Sequence, residues 1–495
     1  MARKNEGIIA LLMILALIAF VIGSAIGISI SMGEHDNQTK QNNTTHYENV
    51  TSQMLSNKNI NVSIEYDYDL DSVDYNQNYT NKTRWRDNMN FIREIGGGFS
   101  VIDNIKVSGA REGKYGVTMI LAPDSTASAV FTTNKVVAAP VTYTRNVVKN
   151  GIVSAIFVNS GNANCFTGQK GIEDCEKLVN LVSKDLKIPE SEIAICSTGV
   201  IGREMPMDII SEVAYESISK LGDKPENSLA AAKAIMTTDT FPKEEAVEVT
   251  LTTGEVIKIA GIAKGSGMIA PNMATMLSFI VTDAVISQKA IKKALKIAVD
   301  LSFNMIVVDG DESTNDTCLM LANGSSEVNV ENNGEIDSNF QEGLNHLCIN
   351  LAKKMARDGE GASKFIEANV CGAESFEDAK LAAKAIVTSP LFKSAVFGGD
   401  PNWGRIVSAI GYSGCELDPD IVTIAIADDA DEVDLVRKGE ILAFENTPYL
   451  ERAEKIMQSK NIAVKINMFL GDGEATAWGC DLTYDYVKIN AEYTT

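Results

Sequence analysis

Histidine is nearly absent from this sequence: there are three in 495 residues, and two of them, His35 and His46, lie close to the N-terminus. Only His346 remains in the body. It sits in a stretch from Ser338 to Met355 whose apolar residues Leu344, Leu347, Leu351 and Met355 recur at helical spacing, so a structural role is expected for it. That scarcity argues against a histidine-dependent triad or a histidine-rich metal site. It favours a nucleophile that brings its own base. Excess basic charge is also missing: the net charge is −22, the wrong sign for a nucleic-acid footprint, and such acidity otherwise serves solubility. The eight cysteines all fall between Cys165 and Cys480 with no Cys-x-x-Cys or other zinc-ligand spacing. They are too sparse for a disulfide scaffold and are expected to be scattered, mostly buried thiols, Cys165 and Cys196 included. The glycine-rich run Gly398 to Gly404 lacks both the phosphate-loop lysine pattern and the strand–Gly-x-Gly-x-x-Gly–helix context, and reads as a rigid loop. Neither a metal nor a bound cofactor is expected.

One long apolar run is present. Gly7 to Gly33 is uncharged and dominated by Ile, Leu and Ala, with Arg3 and Lys4 before it and Glu34 and Asp36 after it. Its length predicts one N-terminal transmembrane helix in segment 1–33, with residues 8–30 available as a membrane anchor and the N-terminus inside. Residues 34–90 form a polar Asn/Thr-rich linker carrying Asn-x-Ser/Thr triplets that start at Asn37, Asn42, Asn43, Asn49, Asn61, Asn78 and Asn81. The body then alternates strands and helices, which means an α/β layered architecture. Ile152 to Val158 reads as a buried strand ending in a turn over 159–164, and Asp174 to Leu186 as an amphipathic helix. Glu192 to Cys196 reads as a short strand delivering Ser197, Thr198 and Gly199. Pro206 opens a helix running towards Leu221, and Ser287 is a candidate N-cap for the next.

The most informative segment is Lys264-Gly-Ser-Gly-Met-Ile-Ala-Pro-Asn-Met-Ala-Thr-Met-Leu277. It brings Ala274 and then Thr275 to the mouth of an apolar run ending at Val281. If the bond before Thr275 is cut, the new chain starts with a threonine whose hydroxyl is the nucleophile and whose α-amine is the base. The reference pKa of such an amine, about 7.7–8.0, suits general-base work near neutrality. Taken alone, the segment also fits an uncut strand preceded by a turn.

Further landmarks occur in order along the chain: Val130 to Pro140, Val158 to Asn164, Cys196 to Gly202, Met236-Thr-Thr-Asp-Thr240, the 264–277 segment, Arg357-Asp-Gly-Glu-Gly-Ala362, Phe397 to Arg405, and the ending Asn490-Ala-Glu-Tyr-Thr-Thr495. From about Ile95 onward the sequence resembles the ornithine acetyltransferase / glutamate N-acetyltransferase family of arginine biosynthesis. The resemblance implies an autoprocessed N-terminal-nucleophile-like acyltransferase domain over 91–370, cleaved between Ala274 and Thr275. A smaller α+β domain over 371–495 is implied to follow, with a tail returning to the active site.

The implied reaction is a ping-pong acetyl transfer from N-acetylornithine to glutamate through acetyl-Thr275, with Thr198 and Gly199 forming the oxyanion hole. Substrate contacts are implied for Thr238, Lys264, Thr275, Glu360, Asn490 and Thr495. Lys264 suits a carboxylate and Glu360 the ornithine ammonium. Acetyl-CoA is a further substrate of bifunctional members, and the cleaved α and β fragments assemble as α2β2 tetramers. Such enzymes are cytoplasmic and carry no N-terminal extension, so the apolar segment means a genuine anchor, a fusion, or a start placed ahead of Met89. Two other readings compete. One is an autoprocessed aminopeptidase or amidohydrolase that passes its acyl group to water. The other is a non-enzymatic, membrane-tethered surface protein, against which the presence of Thr198, Gly199, Thr275 and Glu360 argues.

Overall fold

The computed structural model describes residues 90–270, 276–332 and 334–492. The predicted transmembrane segment and all of the linker but Asn90 lie outside the described residues, as do Ala274, Thr275 and Thr495. Among the described residues no helix is long and apolar enough to cross a membrane. All of them belong to one compact unit.

Two mixed sheets dominate. The first is built from β1 (Ile92–Glu94), β2 (Lys106–Glu112), β3 (Tyr115–Phe131), β4 (Ile152–Asn162), β5 (Ile193–Val200), β6 (Lys243–Thr250), β7 (Val256–Lys264), β8 (Leu277–Thr282) and β10 (Thr317–Ala322), while β9 (Ile306–Val307) serves the second sheet. Its order is β1-β6-β7-β8-β10-β3-β4-β5, with β2 paired to β3. The pairs β8/β10 and β4/β5 are parallel, the rest antiparallel. β11 (Glu331–Asn332) and β12 (Glu335–Ile336) pair as a small antiparallel ribbon of their own. The second sheet comprises β13 (Phe365–Ala373), β14 (Thr423–Ala427), β15 (Glu432–Arg437), β16 (Glu440–Ile441), β17 (Asn461–Asn467) and β18 (Gly473–Cys480), ordered β16-β15-β14-β17-β13-β18-β9.

Every residue of β8 is buried, because helices cover both faces of the sheet there. Alternate side chains go to different cores, as the period of two requires: Phe279 and Val281 join one with Ile120, Ile156 and Leu319, and Ile280 joins the other. On the first face lie α4 (Pro225–Ala234) and its flanking Ile235; α1 (Ala139–Val148), α2 (Gly168–Leu186) and α3 (Met207–Ser219) cover the region of β3 to β5. On the second face, α5 (Gln288–Asp300) and α6 (Ser338–Arg357) contribute Ile291, Leu295, Leu344 and Leu351 to a core that continues into the second sheet and α7 (Phe376–Thr388). The two sheets therefore share one apolar interior. The remaining helices are α8 (Pro390–Gly398), α9 (Trp403–Tyr412), α10 (Pro448–Ile456) and α11 (Tyr484–Glu492).

Local expectations meet mixed outcomes. Ser287 does cap α5, its hydroxyl accepting from Ala290 N at 3.3 Å. The expected turn over 159–164 is a continuation of β4 as far as Asn162. The pairing with β5 runs on through Ser160/Thr198 and Gly161/Gly199 and absorbs its irregularity as a bulge at Asn162. β5 correspondingly extends to Val200, so Thr198 and Gly199 are strand residues and not a turn after one. His346 lies on α6 but is half-buried rather than in the core, its Nε2 2.9 Å from Glu94 Oε1. All eight cysteines are free, six of them buried.

Candidate active site

Lys264 is the last residue of β7 and pairs across the sheet with Leu277, at the end where the chain enters β8 from Thr275. Its side chain is buried and donates to Thr237 Oγ1 at 2.8 Å and to Thr198 Oγ1 at 3.3 Å. Because Thr198 accepts from this ammonium, its own hydroxyl hydrogen is free to point at another acceptor. Beside it, Gly199 holds a φ of 134°, and a Cβ there would lie 2.4 Å from Gly161 C and 2.5 Å from Asn162 N. Glycine is demanded at this point by both conformation and the closeness of β4. Asn315 fastens the same corner from β10's side, donating to Ala163 O at 2.6 Å and Ser197 O at 2.9 Å.

Of the other predicted substrate residues, the three that are described, Thr238, Glu360 and Asn490, come together here. Thr238 Oγ1 lies 2.7 Å from Ser266 Oγ. Glu360 N donates to Ser266 O at 2.8 Å, drawing the loop after α6 onto the loop after β7. Gly267 makes that approach possible: a Cβ on it would stand 2.3 Å from Glu360 Cδ. Asn490, on α11, donates to Glu360 Oε2 at 2.7 Å. Thr198, Lys264, Thr238, Glu360 and Asn490 span nearly three hundred positions, yet they join through Thr237 and Ser266 into one chain of contacts.

Two aspartates bracket the undescribed residues 271–275. On the N-terminal side, Asp309 accepts from Met268 N at 2.5 Å and Ile269 N at 2.8 Å; burial raises its carboxyl above the usual range, against these bonds. On the C-terminal side, Asp316 Oδ1 accepts from Met276 N at 2.6 Å. The backbone on each side of the bond expected to be cut, at Met268–Ile269 and at Met276, is thus held by an aspartate that sequence reasoning did not single out.

Also missed were Thr237, Asp239, Lys243, Ser266 and Asp358. Asp239 Oδ1 accepts from Lys243 Nζ at 2.6 Å and Gly265 N at 2.7 Å; Oδ2 accepts from Thr237 N at 3.0 Å and lies 3.9 Å from Lys264 Nζ. Burial pushes the Asp239 carboxyl up, but Lys264 and Lys243 outweigh it and hold it at about 2. For Lys264, burial pushes the amine down, Asp239 pulls it back, Lys243 opposes, and Glu360 and Asp316 assist Asp239. Asp239 and Thr237 stand in the Met236–Thr240 landmark, Ser266 in the 264–277 segment and Asp358 in the Arg357–Ala362 landmark, which were the available signals; Lys243 carried none.

Among the described residues no group of His, Cys, Asp and Glu could hold a metal ion. The linked groups include a lysine, a carboxyl, several hydroxyls and a strand-end glycine, which is equipment for acyl transfer between charged small molecules.

The ArgJ family model matches residues 103–495. The chain is 53% identical over 404 residues to the glutamate N-acetyltransferase of Methanothermobacter thermautotrophicus, covering 82% of this chain and 99% of that protein. It is 50% identical over 408 residues to the glutamate N-acetyltransferase of Methanocaldococcus jannaschii, covering 82% of this chain and all of that one. Among solved structures, the arginine biosynthesis bifunctional protein argJ of Bacillus halodurans is 43% identical, covering 44% of this chain and 99% of its own, with a TM-score of 0.41.

Proposed function

We infer the chemistry of this chain from one premise: it belongs to the ArgJ family. It is a glutamate N-acetyltransferase and ornithine acetyltransferase of arginine biosynthesis, an enzyme acting on small molecules. Our proposal for how it works begins with self-cleavage. The Thr275 hydroxyl attacks the Ala274 carbonyl, the peptide nitrogen leaves with a proton, and water opens the resulting ester to free a carboxylate at Ala274 and an amine at Thr275.

In the mature enzyme that amine takes the hydroxyl proton as Thr275 Oγ attacks the acetyl carbon of N-acetylornithine. A tetrahedral oxyanion forms, ornithine departs with the proton on its α-nitrogen, and the acetyl group remains as an ester. The α-amine of glutamate then attacks that ester, and N-acetylglutamate is released. Thr198 Oγ and Gly199 N serve the oxyanion in both halves. Lys264 meets the α-carboxylate shared by the two substrates, and Glu360, steadied by Asn490, meets the ornithine ammonium. Thr238 and Thr495 complete the contacts.

The observation that carries this reading is the two runs of contacts, Thr198–Lys264–Thr237 and Thr238–Ser266–Glu360–Asn490, which meet at the peptide bond between Thr237 and Thr238. A hydrolase reading needs only the nucleophile and the oxyanion donors; the Lys264, Glu360 and Asn490 set favours amino-acid substrates. Intact mass of the purified protein beside Thr275→Ala tests it. Two fragments, ending at Ala274 and beginning at Thr275 and absent from the variant, are expected. Acetyl transfer by an uncut wild-type chain would remove the α-amine base and refute the scheme.

A further inference from the structure

Behind the groups that face substrate lies a line of buried charge that the reaction scheme does not use. Lys243 is fully buried, with Asp239 Oδ1 at 2.6 Å and Asp358 Oδ2 at 2.5 Å. Asp239 carries the line on to Lys264 at 3.9 Å. Each carboxylate also grips backbone. Asp239 holds Thr237 N and Gly265 N, the starting points of two substrate-facing segments. Asp358 accepts from Thr240 N at 3.1 Å and from the Thr240 hydroxyl, two residues before Glu360. Three segments, 237–240, 264–265 and 358–360, are therefore pinned to one ammonium.

Removing ions from water is costly, and a buried pair is often no more stabilising than apolar residues of the same size. What such a line does well is fix geometry, since side chains that act on substrate need placement within about half an ångström. It also bears on charge. Without Lys243, two carboxylates would stand buried beside one lysine, and Lys264 would be drawn towards Asp239 and away from Thr198.

We propose that Asp239, Lys243 and Asp358 are positioning residues for acetyl transfer: together they hold Lys264 at Thr198 and set the spacing between Lys264 and Glu360. This deepens the site reading above and rests on it. The charged groups that act on Lys264 are Asp239, Lys243, Glu360 and Asp316, and removing Asp239's charge takes away the largest of those that favour its ammonium.

The test compares wild type, Asp239→Asn, Asp358→Asn and Lys264→Met, each checked for fragments by intact mass and for folding by thermal melt. The pH profile of kcat/KM for N-acetylornithine is then recorded with glutamate as acceptor. Asparagine at 239 can still accept from Gly265 N through its one amide oxygen, so that loop contact persists, while the charge and the bond from Thr237 N do not. The ammonium form of Lys264 binds the carboxylate, so activity fades as pH rises through its pKa. In Asp239→Asn the alkaline limb is expected to move down by about one pH unit, with KM rising about tenfold. Asp358→Asn frees Lys243 to lean on Asp239, and should move the limb the same way by less. Folded, cleaved variants with wild-type limbs and KM overturn the proposal, and so does failure of both to fold, which would assign the line to stability alone. A wild-type kcat/KM in Lys264→Met instead overturns the underlying assignment of Lys264.

Discussion

Gly199→Ala should disable the enzyme while leaving its fold intact. Alanine at a φ of 134° lies where L-residues are rare, at a cost of about 1–3 kcal/mol. The added Cβ would stand 2.4 Å from Gly161 C, a backbone atom in the paired strand. Ordinary carbon–carbon contact needs about 3.5 Å, so β4 and β5 must part here by roughly 1 Å. A donor displaced that far turns a hydrogen bond of about 2.9 Å into no hydrogen bond at all. Loss of one oxyanion donor lowers rate by about 10²–10³, equivalent to ~2.7–4 kcal/mol of transition-state stabilisation. The rate of fragment formation and the turnover of acetyl transfer should both fall by that factor, since both pass through a tetrahedral oxyanion. Gly202→Ala is the control. That glycine also has positive φ, 75°, but an added Cβ meets nothing within 4 Å, so it should carry backbone strain without loss of rate. A Gly199→Ala protein that cleaves and turns over at wild-type rates, or a Gly202→Ala protein equally impaired, would refute the oxyanion assignment.

Glu360→Gln should raise KM for N-acetylornithine by about tenfold or more, the worth of a hydrogen bond to a charged group. It should leave saturation by N-acetylglutamate in the reverse reaction nearly unchanged, and equal effects on both would reject the ammonium contact. Ser287→Ala removes the cap of α5 and should cost about 1 kcal/mol, read as a lower urea midpoint with an unaltered slope. Burial pushes the thiols of Cys175, Cys196 and Cys318 up to about 12. At pH 8 iodoacetamide should therefore spare them in the native protein and label all three once it is unfolded; rapid native labelling of Cys196 would contradict its burial.

The parts of this molecule legible in its sequence are those set by near neighbours. Ser287 before an apolar-periodic stretch announces a capped helix, and the helix is there. The turn expected over 159–164 failed because Asn159, Gly161 and Asn162 are turn-forming by local preference, whereas tertiary pairing with β5 keeps them extended. The residues proposed to meet substrate were assigned through resemblance to a family, not from periodicity or spacing. The line Asp239–Lys243–Asp358 was not read as a line, although Asp239 and Asp358 each stand in a quoted landmark. Its members are ordinary charged residues, 115 positions separate Lys243 from Asp358, and only the fold buries them together.

The strand order has a consequence for what a cut before Thr275 would produce. β8 and β10 belong to the downstream piece, yet they lie between β7 and β3, which both belong to the upstream one. The downstream polypeptide is clasped on each side by the other through continuous ladders of backbone hydrogen bonds. Neither piece could leave without tearing the sheet through its middle, and neither could build that sheet alone. The two fragments would be made as one chain because they are inseparable as two: co-expressing them as separate genes should yield far less native protein than the uncut precursor, however long they are left to associate.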